Sequence, residues 1–173
     1  MKIYVLRLFH RAERDKRITT HCALVSRAFL TEQMYYCGNK DEKLEKNIEK
    51  VNKNFGSNFS VVFIKDWKSL IKNFDGLKIH LTMYGIPLLE KIDYIKSFNK
   101  VLIIVGSEKV PKEVYEMVDL NISITNQPHS EIAALAVFLD RIFEGKEFYT
   151  NFENAMLKII PSEKGKIVKK QNY

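Results

Sequence analysis

Asn126-Gln127-Pro128-His129-Ser130-Glu131 gathers amides, an imidazole, a hydroxyl and a carboxylate into one turn, between an apolar run at 120–124 and the chain's longest apolar helical pattern. Such a turn puts several side-chain donors and acceptors within reach of one ligand. The same residues also suit helix capping, with Asn126 or Gln127 as the cap and Pro128 at the first helical position. His129 has the chemistry of an acid or base, although a lone histidine more often only hydrogen-bonds. Upstream, an apolar run at 101–105 stops at Gly106, where the missing Cβ lets the backbone turn sharply and lie against a ligand. Ser107, Glu108, Lys109 and Val110 follow, and Pro111 opens a short helical pattern. A third strand pattern, 77–81, ends at Leu81 in Thr82-Met83-Tyr84-Gly85. In open α/β sheets ligands bind beyond the carboxyl ends of strands, so these three ends are predicted to border one pocket for a nucleotide-like ligand. Neither GxGxxG nor GxxxxGK[ST] occurs, which argues against a dinucleotide fold or a P-loop.

A second group of residues is basic. Arg7, Arg11, Arg14, Lys16 and Arg17 fall close together, broken by Glu13 and Asp15. Arginine forks match phosphate geometry, and the formal net charge of +7 suits a polyanionic partner, with RNA or DNA first. A solvated charged loop is the simpler explanation of the same residues. The lysine-rich end, with Lys164, Lys166, Lys169 and Lys170, reads as a solvated edge. Cys22 and Cys37 form neither a disulfide framework nor a metal-ligand cluster, so no metal is expected. No apolar run approaches a membrane span and the N-terminus lacks a signal-peptide pattern, so a soluble cytoplasmic protein is expected.

These groups need elements to position them. Strand patterns at 3–8, 34–37, 60–64, 77–81, 101–105 and 120–124 alternate with helical patterns. The helices are read at about 20–30, capped by Thr19 or Thr20, at 41–54, from Asp66 to about Phe74, at about 87–98, from Pro111, and at 128–143. The alternation predicts an α/β fold, a mostly parallel sheet with helices on both faces. Residues 157–168 alternate around Pro161–Gly165 and predict a C-terminal β-hairpin. At 173 residues one domain is the natural expectation.

The stretches RLFHRAERDKRITTH (7–21), HLTMYG (80–85), GSEKVP (106–111) and NQPHSEIAALAVFLDR (126–141) together resemble the archaeal tRNA cytidine-56 2′-O-methyltransferases, in order over nearly the whole chain. That resemblance implies a SPOUT methyltransferase with a deep C-terminal trefoil knot over 1–145, extended by the hairpin at 146–173. It also implies a homodimer, S-adenosyl-L-methionine as donor and a T-loop cytidine of tRNA as acceptor. The donor would lie against Leu81, the turn from Gly106 through Ser107, Glu108 and Lys109 to Val110, and the turn from Ile124 and Thr125 through Glu131. Helix 20–30 is similar to a SpoU motif in which an Asn precedes an Arg by six positions. Arg27 would then act on the ribose 2′-OH, with His21 in the place of the Asn, and Arg7, Arg11, Arg14, Arg17 and His21 would face RNA. Phe9, Ser107 and Thr125 depart from the family's usual Gly, Ala and Gly. The rival readings are a SPOUT enzyme for another RNA nucleotide and a noncatalytic RNA-binding α/β module.

Overall fold

The structure is a computed structural model and describes residues 1–106 and 109–171. Its six-stranded sheet has the order β3-β2-β1-β5-β4-β6, and every neighbouring pair is parallel. The strands are β1 (Lys2–His10), β2 (Gln33–Gly38), β3 (Ser60–Phe63), β4 (Leu77–Pro87), β5 (Lys100–Val105) and β6 (Leu120–Ser123). The helices are α1 (Lys16–Ala28), α2 (Glu42–Phe55), α3 (Trp67–Asn73), α4 (Ile92–Lys96), α5 (Lys112–Met117) and α6 (Glu131–Phe143). A separate antiparallel hairpin joins β7 (Leu157–Ile160) and β8 (Ile167–Lys170).

Parallel strands buried on both faces read as continuous apolar runs. Val101 to Val105 is such a run, every residue fully buried. One core packs Ile3, Val5, Ile79 and Ile103 against Cys22 and Ala23 of α1 and against Leu135, Phe138 and Leu139 of α6. The opposite core packs Leu6, Leu8 and Ile104 against Ile71 of α3 and Val114 of α5. Helices therefore cover both faces, as the sequence predicts. Asp41 and Asp66 cap α2 and α3 by accepting hydrogen bonds from the backbone amides of Leu44 and Ser69 at 3.1 and 2.9 Å.

Some local expectations change. α1 begins at Lys16, so neither Thr19 nor Thr20 caps it. Thr19 is instead buried, with its hydroxyl 2.8 Å from His10 Nδ1. Thr82-Met83-Tyr84-Gly85 is not a turn: β4 stays extended to Pro87, and its pairing with β6 shifts register between Leu81 and Ile86. The expected helix at 87–98 is a 3₁₀ turn (Leu88–Glu90) followed by the short α4. Pro111 and Pro128 both lie outside their helices; α6 starts at Glu131 and is capped by Ser130, not by Asn126 or Gln127. Phe9 has φ +55°, the left-handed region that favours glycine, where β1 shifts register against β2. Its ring packs edge-on to Trp67 at 5.8 Å, within the α3-side core.

Candidate active site

The carboxyl ends of β4, β5 and β6 open onto a cavity of about 240 Å³. Leu81, Thr82, Met83 and Tyr84 form one wall, Gly106 and Val110 a second, and Pro128, His129, Glu131 and Ala134 a third, with His80 and Tyr115 at the floor. The three strand ends grouped from the sequence do meet here. Of the residues predicted there, Leu81, Gly106, Val110, Pro128, His129 and Glu131 line the cavity. Lys109, Ile124, Thr125, Asn126, Gln127 and Ser130 stand beside it in the same two turns without lining it. Ser107 and Glu108 lie outside the described residues.

Each wall has a local cause. A Cβ on Gly106 would come within 2.0 Å of Val110 Cγ2, so a larger residue there requires the Val110 side chain to shift. Asn126 ties its turn to the extended end of β4: its Nδ2 donates to Met83 O at 2.7 Å and to Gly85 O at 3.1 Å. Ser130 Oγ accepts from the Ala133 amide at 3.2 Å and starts α6 at the cavity edge. At the floor, Asn121 donates its Nδ2 to Tyr115 O at 2.9 Å, which turns its Oδ1 towards His80 Nδ1 at 3.0 Å. His80 must therefore carry its proton on Nδ1. Burial pushes its pKa below the ordinary histidine value, only partly offset by Asn121, so the ring is a neutral wall with Tyr115 edge-on at 4.6 Å. Sequence reasoning left His80 without a partner and missed Tyr115. The signal for His80 was a lone polar residue in a run of buried strand positions.

Behind the third wall lies Arg7. It is fully buried on the same face of β1 as Ile3 and Val5. Its Nη1 donates to Leu8 O at 2.9 Å and its Nη2 lies 3.0 Å from Glu131 Oε1. That contact is close but off-axis, and Nε and Nη2 find no aligned hydrogen-bond acceptor among the described residues. Arg7 is thus an internal partner of the cavity and not a surface contact for RNA. The two-residue period of β1 carried that information, since positions 3, 5 and 7 share a face. Beside it, burial pushes the Cys22 thiol up to about 12, with Arg7 and Glu131 also acting on it, so this thiol is inert.

Arg27 is placed elsewhere. α1 runs back from the carboxyl edge of the sheet, and the chain leaving it returns to the start of β1, where the Glu32 amide donates to Ile3 O at 2.8 Å. Arg27 Nε donates to Asn52 Oδ1 at 2.9 Å, and Nη2 donates to Phe55 O at 3.0 Å and to Gly56 O. The Phe152 ring covers the guanidinium, 4.8 Å from Cζ to the ring centroid. These contacts tie off the carbonyls that end α2, and burial lowers the Arg27 pKa. Within one chain Arg27 does not reach the cavity, and it does not share a face with His21. Six residues advance a helix by about 600°, which leaves the two about 120° apart around the axis; His21 is exposed while Arg27 is buried. A larger cavity of about 530 Å³ lies by Arg27, Phe55, Phe152 and Leu157, at the base of the hairpin. It has none of the three strand ends, so size does not make it the active site.

The remaining basic residues flank the carboxyl edge. Arg14, Arg17 and His21 are exposed, and Arg11 pairs with the buried Asp15 through Nε to Oδ2 at 2.8 Å. Among the described residues no group of histidine, cysteine and carboxylate side chains could hold a metal ion, and no helix is long and apolar enough to cross a membrane.

Comparison with known proteins places this geometry in context. The family profile described as tRNA ribose 2′-O-methyltransferase, aTrm56, matches residues 55–169. A protein of Archaeoglobus fulgidus named tRNA (cytidine(56)-2′-O)-methyltransferase is 55% identical over 168 residues, covering 97% of this chain and 98% of that one. One of the same name from Methanocaldococcus jannaschii is 49% identical over 179 residues, covering 99% of each. Among solved structures, the SpoU methyltransferase AviRb from Streptomyces viridochromogenes in complex with AdoMet matches with a TM-score of 0.62 at 12% identity. The match covers 84% of this chain and 58% of that one, and the likeness is one of fold.

Proposed function

Because this chain belongs to the family of tRNA ribose 2′-O-methyltransferases, we propose that it transfers a methyl group from S-adenosyl-L-methionine to the ribose 2′-oxygen of cytidine 56 in tRNA. The observation that carries this reading is the convergence of the three strand ends on one cavity, with a glycine cradle at Gly106 and a carboxylate at Glu131. The cavity fits the donor's chemistry. Leu81, Met83, Val110 and Pro128 supply apolar faces for a purine, backbone groups of the turns supply polar contacts, and Glu131 supplies negative charge towards a cationic ligand. The bound donor supplies an already activated methyl group, so the protein's tasks are alignment and deprotonation of the acceptor.

On the acceptor side we place Arg17 and His21, exposed one helical turn apart on the first half of α1, which follows the carboxyl end of β1. Arg14 and Arg11 extend this basic surface. Arg17 would stabilise the developing alkoxide by hydrogen bonding, since a guanidinium pKa above about 12 makes it a poor base. His21 has the chemistry to take the proton. Arg27, the residue singled out from its spacing to His21, serves in this reading as a structural cap. Replacing Arg17 or His21 with Ala should lower turnover while donor binding is unchanged; full activity in both variants would remove them from the mechanism.

The homodimer belongs to the same proposal. Tyr84, Ile86, Leu89 and Tyr94 are exposed apolar residues around the end of β4 and α4, and Val137 of α6 is also exposed, which supports a second copy packing at the cavity rim. The trefoil threading, with residues 1–145 as the knotted unit and 146–173 as its extension, is carried with the family. A cytoplasmic setting follows from the substrate. The test is direct: incubate the chain with methyl-labelled donor and a tRNA transcript, then map the nucleosides. Label on the 2′-oxygen of cytidine 56 is the expected result; label on another nucleotide, or none, overturns it.

A further inference from the structure

The pairing of a fully buried arginine with a cavity-lining carboxylate has no place in the mechanism so far. We propose that Glu131, held by Arg7, binds the methionyl ammonium of S-adenosyl-L-methionine; this rests on the donor-site reading and assigns one part of the ligand to one side chain. Glu131 is the one carboxylate among the described residues that line the cavity. His80, facing the same space, is kept neutral by burial. The donor carries two cationic centres, and only the ammonium has N–H groups that can hydrogen-bond to a carboxylate oxygen; the sulfonium has none.

Arg7 explains why that carboxylate stays in place. Its guanidinium is fully buried, its contact to Glu131 Oε1 is off-axis at 3.0 Å, and its Nε and Nη2 lack aligned acceptors among the described residues. Burying a cation this way is expensive, and well-packed apolar residues commonly serve stability as well or better. The arrangement makes sense as positioning. Arg7 pins one oxygen of Glu131, Oε2 has no hydrogen-bond partner among the described residues, and the side chain of this cavity-lining residue remains a quarter exposed. Glu131 is the first residue of α6, whose N-terminal turn fixes where its side chain starts. Arg7 is a positioning residue and Glu131 a ligand-binding one.

The test is calorimetry with three ligands on the folded chain: S-adenosyl-L-methionine, S-adenosylhomocysteine, and 5′-methylthioadenosine, which keeps the adenosine and sulfur but lacks the amino acid. Glu131→Gln should weaken the first two by roughly tenfold to a hundredfold, the loss of one charge-assisted hydrogen bond, and leave the third within about twofold. Arg7→Met should show the same selective pattern, smaller in size. If either variant fails to fold, the double change Arg7→Met with Glu131→Leu removes the pair as an apolar match and is read the same way. Equal weakening of all three ligands, weakening of S-adenosyl-L-methionine alone, or no change overturns the assignment. Failure of the unsubstituted chain to bind any of the three overturns instead the donor-site reading on which it rests.

Discussion

Arg27 donates to Asn52 and to the last carbonyls of α2, so removing it strands those acceptors and uncovers Phe152. Arg27→Ala is expected to lower unfolding free energy by about 2–4 kcal/mol, the range for deleting a buried charged donor with its partners left behind. Urea unfolding measures this, and turnover by the folded fraction should stay within about threefold of the original. A hundredfold fall in turnover at unchanged stability would return Arg27 to the chemistry. Two buried histidines make a separate prediction. Burial lowers the pKa of both His10 and His80, with Asp41 opposing it at His10 and Asn121 at His80. A histidine whose folded pKa lies below its unfolded value binds more protons when unfolded, so stability rises with pH across that window. The contribution is fully present above about pH 6.5 and is lost as the pH falls below it. Denaturation midpoints at pH 7.5 and pH 5 should therefore drop on acidification, and replacing His80 with Asn should reduce the drop.

At the scale of elements, the sheet and most of its helices were legible because apolar runs, capping aspartates and one-face helical spacing are local signals. β4 was legible only as far as Leu81. Thr82-Met83-Tyr84-Gly85 interrupts the apolar run and ends in a glycine, which hides its continuation; it is held extended by β6 and by Asn126, which are about 40 residues away in sequence. The burial of Arg7 and Arg27 was missed for different reasons: Arg7 was read for its charge before its strand position, and Arg27 was taken from the motif it resembles without regard to the helix face it occupies. Thr19, Cys22, Ala23, Ser26 and Arg27 make one buried stripe on α1, and that stripe predicts a buried Arg27. Gly85 gives the element-level test. A Cβ there would lie 2.5 Å from the Asn121 carbonyl and the Ile122 amide nitrogen, which are backbone and cannot swing aside. Gly85→Ala should cost roughly 1–3 kcal/mol of stability by overpacking. It should also weaken donor binding, because β4 forms a cavity wall; a variant with native melting temperature and affinity would contradict the close β4–β6 approach.

Over the whole molecule, charge and cavity separate the two substrates. On the proposed function, the net charge of +7 and the exposed Arg14 and Arg17 would act on phosphates through solvent, whereas the donor would sit in a cavity whose one carboxylate among the described residues is Glu131. Raising salt from 50 to 200 mM should weaken tRNA binding on the order of a hundredfold, as about four phosphate contacts require. The affinity for S-adenosylhomocysteine should move by less than about twofold in the same buffers. A filter-binding series alongside calorimetry distinguishes the two responses, and parallel changes would mean that the donor site is part of the same open electrostatic surface.

β1 sits at the middle of the sheet, yet its two neighbours are made at very different times. Residues of β2 follow it closely in the chain, while Ile3 waits for Val101 and Arg7 for Val105. During synthesis the emerging chain thus presents a complete β3-β2-β1 ribbon with one raw edge, able to pair with any other extended segment. Helix α6, which carries Glu131 and covers that ribbon, arrives later still. A cell making this protein must therefore shield the half-finished sheet until the last third of the chain is out. Slowed translation between residues 64 and 100 should raise the aggregated fraction more than the same pause after residue 145.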